Sequence, residues 1–204
     1  MSTATQTVPA TPTPAPKPKV NDPCKLLTPE FRVSFPHVFE ARAVAEGQTP
    51  KFSVVMLFPK ATDLAALKAA CQAAVKAKWG DKPPKGLRSP FRDGDEKDLD
   101  GYEGTIYIQA SAQDRPGLVD AAVKPIGPDR KDEFYAGCFA RATIRAFAYD
   151  KNGNKGVSFA LQNVQKLKNG EPFGSKRKAE DDFEAVAGAA VEGGASATDF
   201  DELF

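Results

Sequence analysis

The sequence predicts a mainly β domain, a five-stranded antiparallel barrel or sandwich with one major α-helix. Three observations point there. Between Lys25 and Leu167, short stretches rich in β-branched and aromatic residues alternate with Gly, Pro and Asp. A single segment carries apolar residues three or four apart, and Asn152-Gly153 stands between the last two strand-like stretches. The 204 residues, less their polar ends, fit one domain of common size.

Residues 2–20 are mostly Thr, Ala and Pro, with five prolines. Such a segment buries too little apolar surface to offset its ordering entropy, so residues 1–22 are expected to form a disordered arm, with Lys17 and Lys19 near its end. The folded domain is expected over 23–178 and a disordered tail over 179–204. Strands are predicted at Phe31–Phe35, Lys51–Phe58, Gly104–Ala110, Phe139–Tyr149 and Gly156–Leu167. The helix follows Pro59, with Thr62 or Asp63 as its cap, Leu64, Leu67, Cys71, Val75 and Trp79 on one face, and Gly80 at its stop. Tyr149 to Lys155 reads as a hairpin, because Asn-Gly supplies the positive φ of a two-residue turn.

The Phe139 strand alternates sharply. One face reads Cys138, Ala140, Ala142, Ile144, Ala146 and Ala148; the other reads Phe139, Arg141, Thr143, Arg145, Phe147 and Tyr149. Small residues suit a close-packed interior, whereas rings interleaved with guanidinium groups suit a surface that stacks bases and neutralises phosphates. The alternative places these aromatics in the core and packs the alanines beneath a helix. In the strand before it Tyr107 is a second candidate ring, on the side opposite Ile106 and Ile108. Arg32, Lys51, Lys60, Arg88, Arg92 and Arg115 lie near strand ends and loops, where a groove tracking a nucleic-acid backbone recruits cations.

Charge supports the same reading. The last 25 residues hold eight of the chain's 27 carboxylates and no Lys or Arg, so the rest of the chain, with all 28 Lys and Arg, carries a formal +9. A basic body suggests a polyanionic ligand, and the acidic segment ending Asp199, Phe200, Asp201, Glu202, Leu203, Phe204 suggests a protein partner or a competitor for the body's own groove. Metal and catalytic signals are weak. The Asp93, Asp95, Asp98, Asp100 run misses calcium-loop spacing, His37 is the only histidine, and no nucleophile elbow or phosphate loop occurs. No enzyme activity, cofactor or metal is expected. The competing readings are a carboxylate-dependent nuclease built on those four aspartates, and an RNA-binding or assembly protein on the same platform. Cys24, Cys71 and Cys138 are odd in number and far apart, which argues against disulfides and for a reducing, cytoplasmic setting; no apolar run approaches membrane-span length.

Four segments carry a family resemblance: Arg32 to Phe39, Phe52 to Lys60, Leu87 to Asp95, and Tyr149 through the Gly156 to Leu161 strand. Together they resemble the phage-encoded single-stranded DNA-binding proteins over roughly residues 24 to 174. The resemblance implies an OB-fold and a role in phage replication and recombination. It also implies an acidic tail ending in Phe that recruits replication proteins such as a polymerase, helicase or primase. Single-stranded DNA is then the expected ligand, and no membrane is involved.

Overall fold

A computed structural model describes residues 22–43, 47–151 and 153–174 of the chain. Its elements in order are β1 (Lys25–Leu27), β2 (Phe31–Arg42), β3 (Lys51–Pro59), α1 (Ala65–Trp79), β4 (Arg92–Asp93), β5 (Thr105–Ala112), β6 (Gly117–Val119), β7 (Phe139–Lys151) and β8 (Asn154–Lys168), with 3-10 turns at Gly94–Glu96 and Pro128–Glu133. All five predicted strands and the predicted helix are present. The expected arm and tail lie outside the described residues, apart from Asp22, and so do residues 175–178 at the end of the expected domain.

The strands pair in the order β7-β2-β3-β5-β8, and β8 pairs back onto β7 to close a five-stranded barrel; β1 adds to β7, β4 to β5 and β6 to β8. Among the barrel pairs all run antiparallel except β5 with β8, which are parallel. The exception to the expected pairing is forced by number. Directions cannot alternate all the way round a ring of five, so at least one pair must run parallel. The β7–β8 hairpin pairs Lys151 with Asn154, and Gly153 adopts φ 79°, as a two-residue turn demands. Asn152 lies outside the described residues.

β2 runs to Arg42, well past its predicted end at Phe35. Pro36 has no N–H to donate, and a bulge between Ser34 and His37 accommodates it, so the strand continues beyond the residue that read as its terminator. Phe35 takes φ 44° there and leaves its ring 49% exposed. The N-cap of α1 is Leu64, which offers no side-chain cap, rather than Thr62 or Asp63; Asp63, one residue earlier, accepts the Ala65 N–H at its Oδ1 instead.

Alternation in β7 sorts as the residues dictate. Ala140, Ala142, Ile144 and Ala146 are buried in the main core with Phe31, Met56, Phe58, Ile108 and Phe159. α1 packs on β7, β1 and β8 and adds Leu67, Ala70, Cys71 and Ala74 to that core. The alanines let helix and strand approach closely, while Phe31 and Phe58 meet edge to face at 5.8 Å. Each fully buried large side chain contributes roughly 1.5–3 kcal/mol. The ring-and-arginine face of β7 points away from this core: Arg141, Arg145 and Phe147 are exposed, and Phe139, Thr143 and Tyr149 partly so.

Candidate nucleic-acid interface

The outer surface of β3, β5, β7 and β8 forms a groove of two adjoining cavities. The larger, about 600 Å³, is bounded by Arg42 on β2, Lys51 and Ser53 on β3, Tyr107, Gln109 and Ser111 on β5, Tyr149 and Lys151 on β7, Ser158 on β8, and the Arg88 to Arg92 loop. Among the described residues its lining holds five cations, Arg42, Lys51, Arg88, Arg92 and Lys151, and no carboxylate. Lys51 and Ser111 are shared with the smaller cavity, about 490 Å³, which adds Arg115, Phe147 and Gln162. The larger cavity, whose described charges are all positive, concentrates polyanions, while Asp114 lines the smaller one. His37, paired with Ser53, adds nothing to that charge at neutral pH, since burial and the nearby Arg42 hold it below its ordinary 6.5.

Backbone pairing aims the arginines. The Arg88 N–H donates to the Lys155 carbonyl at 2.9 Å, and the Arg88 carbonyl accepts from Val157 N–H at 3.1 Å. Gly156 permits this approach, because a Cβ there would stand 2.7 Å from the Arg88 carbonyl oxygen and 2.8 Å from the Tyr149 hydroxyl. β4 lies on β5 with Arg92 opposite Tyr107, and Phe91 anchors the same loop edge-on to Phe159 at 6.1 Å.

Beside that loop Lys60 Nζ lies 2.9 Å from Asp93 Oδ1 and 2.5 Å from Asp95 Oδ2. Asp93 Oδ1 also accepts from Asp95 N–H, and Asp95 Oδ1 from Gly104 N–H at 2.6 Å, which ties the 3-10 turn after Arg92 to the start of β5. The Lys60 hydrogen bonds hold both carboxyls below their ordinary 3.8. A depressed carboxyl stabilises the fold above its unfolded pKa and loses that contribution as pH falls through its folded value, so this tie opens only in acid. The amide proton shift of Gly104, followed by NMR, is expected to titrate with a midpoint below 3.8, and Lys60→Met is expected to move that midpoint upward. An unmoved midpoint would remove Lys60 from the account.

Of the twelve residues expected to meet a nucleic acid, the groove gathers seven: Lys51, Arg88, Arg92, Tyr107, Arg115, Phe147 and Tyr149. Tyr107 is not the free ring expected. It is 8% exposed and packs edge-on to Tyr102 at 5.3 Å beside Leu57, so it forms part of the floor. Phe147 is 37% exposed and offers a face. The other five do not line the groove. Arg32 donates to the Gly137 and Glu171 carbonyls, at 3.3 and 2.7 Å, and lies 4.1 Å over Phe173. Lys60 is held by its two aspartates. Phe139 lies under Lys168 at 4.6 Å. Arg141 donates to Gln165 Oε1 at 2.8 Å, and Arg145 pairs with Asp22 at 2.7 Å, which lowers the Asp22 carboxyl. These groups serve the barrel wall.

Arg42 and Lys151 are groove cations that the sequence reading did not select. Arg42 was hidden by the strand's apparent end at Pro36, whereas Lys151 follows from extending the hairpin ladder to its Asn-Gly turn. Two of the four aspartates of the nuclease reading, Asp93 and Asp95, are paired with Lys60. Among the described residues no three His, Cys, Asp or Glu side chains gather as a metal would need, and no helix is long and apolar enough to cross a membrane. Cys24, Cys71 and Cys138 are buried and free, burial pushing the Cys71 thiol up to about 12.

Comparison with known proteins agrees with the barrel and the resemblance. The family model described as "Enterobacter phage Enc34, ssDNA-binding protein" matches residues 24–194. Protein p50 of Acyrthosiphon pisum secondary endosymbiont phage 1 is 34% identical over 160 residues, 73% of this chain and 86% of that protein. The single-stranded DNA-binding protein of bacteriophage Enc34, solved in complex with ssDNA, superposes with TM-score 0.66 at 26% identity over 78% of this chain and 97% of its own. The gp2.5 protein of bacteriophage T7, at 16% identity and TM-score 0.50 over 85% of this chain and 98% of its own, shares the fold. The chain belongs to the family of the Enterobacter phage Enc34 ssDNA-binding protein, a family of binding proteins rather than enzymes.

Proposed function

We propose that the groove binds single-stranded DNA with little dependence on sequence, in the host cytoplasm during phage replication or recombination. Five convergent cations, with no opposing carboxylate among the described residues of the larger cavity, carry this reading. Arg42, Lys51, Arg88, Arg92 and Lys151 neutralise phosphates and release their counterions, while Phe147 and Tyr149 offer faces to unstacked bases, each stacked base contributing about 1–3 kcal/mol. The related Enc34 protein, solved with ssDNA, supports the choice of ligand. The acidic segment from Asp199 to Phe204 recruits a polymerase, helicase or primase and competes with DNA for the groove.

Fluorescence anisotropy with labelled oligo-dT across a salt series tests the binding. Affinity is expected to fall with a log-log slope of about −0.7 for each phosphate neutralised. A flat response, or no binding at low salt, would sink the reading. Deleting residues 199–204 is expected to preserve or tighten DNA binding while abolishing capture of the replication partner; weaker DNA binding after deletion would reject competition by the tail.

A further inference from the structure

Gln162 is the extra residue of a β-bulge. Thr143 faces Asn163 and Ile144 faces Leu161 across the β7–β8 ladder, so Gln162 has no partner position on β7. Bulges re-aim side chains and cluster beside functional sites. This one borders the smaller cavity, which Gln162 lines together with Phe147, Gln113, Asp114 and Arg115. Its Oε1 is enclosed and meets no donor. The nearby amides of the same strand are occupied, Asn163 Nδ2 at the Thr143 hydroxyl and Gln165 Nε2 at the Asp120 and Ala121 carbonyls. An enclosed acceptor without a donor is uncommitted within the fold, so turning it toward a ligand's donor breaks no existing hydrogen bond.

We infer that this cavity takes one unstacked nucleobase, its face against Phe147 and an N–H of its Watson–Crick edge donated to Gln162 Oε1, the amide turning out of its enclosure to meet it. The inference rests on the DNA-binding role proposed for the groove and adds a position at which the base edge is read. Lys51 and Arg115 at this cavity, with Asp114 opposing them, leave the phosphate beside the base to the cations, while the exposed ring of Phe147 and the two glutamine amides match the face and the donors and acceptors of a base. Arg115, at the same cavity, faces the adjoining phosphate.

Anisotropy titration of the full chain with oligo-dT and with the same strand built from N3-methylthymidine tests the contact. Methylation removes the imide donor and keeps ring and phosphate. The wild-type chain is expected to bind the methylated strand about tenfold more weakly. Gln162→Leu is expected to bind both strands alike and to melt at a higher temperature, since it deletes the unpaired oxygen. Phe147→Ala, at an exposed ring whose loss spares the core, is expected to narrow the same gap. Equal wild-type affinities for the two strands overturn the inference, as does a Gln162→Leu variant that keeps the gap or melts lower. In each of those cases salt-dependent binding of plain oligo-dT survives. If plain oligo-dT does not bind, the DNA-binding role fails and the base subsite with it.

Discussion

Replacing Lys51, Arg88 and Arg92 together by alanine is expected to lower affinity for oligo-dT about a hundredfold at low salt and to flatten the salt dependence by about two units of slope. All three side chains are exposed and line the larger cavity, so their loss removes phosphate contacts without opening the core. About 1 kcal/mol per exposed ion pair with phosphate, summed over three, gives the hundredfold figure, and three counterions at about 0.7 each give the slope. The loss should be the same for every base composition, since phosphates carry no sequence. Thermal stability is expected to stay within a few degrees, because Arg88 is tied to β8 through its backbone, which alanine retains. Arg32→Ala provides the contrast. Its guanidinium braces two carbonyls and covers Phe173, so it is expected to lower the melting temperature and leave the salt slope unchanged. Were Arg32→Ala instead to reduce the slope while the triple variant did not, the DNA path would run over the other side of the barrel.

That contrast marks the limit of what the residues disclosed. Period-two alternation is a local property, and it separated the two faces of β7 correctly because buried alanines and exposed arginines obey it residue by residue. Which part of the outer face meets the groove is not local. A strand of 13 residues coils round the barrel, so Phe139, Arg141 and Arg145 look toward Lys168, Gln165 and Asp22, while Phe147 and Tyr149 at the far end reach the groove. The short strands β1, β4 and β6 were illegible for a related reason. Two or three residues show no period, and their conformation is set by distant partners, as Arg92 is by Tyr107 and Leu118 by Val164. Cation counting found the charge of the groove but could not exclude Lys60, whose partners Asp93 and Asp95 lie more than 30 residues away.

Phe159→Ala is expected to be the most disruptive single change, costing about 3–5 kcal/mol of the roughly 5–15 kcal/mol that stabilise a domain. The ring is fully buried, and alanine would leave a cavity beneath Phe91 in a barrel whose closed hydrogen-bond ring prevents the strands from collapsing inward. Urea denaturation should report the loss, with a melting temperature lower by about 10 °C. Because Phe91 lies on the loop between Arg88 and Arg92, the same pair of rings links core packing to the groove. Phe91→Ala removes only a half-buried partner, so it is expected to cost less stability than Phe159→Ala while still weakening oligo-dT binding several-fold. Its salt slope should stay close to wild type, since every cation remains but two are no longer held in place. A Phe91→Ala variant that loses stability yet binds oligo-dT as tightly as wild type would show that the loop needs no anchor, and that the arginines are positioned by the β4 and β8 ladders alone.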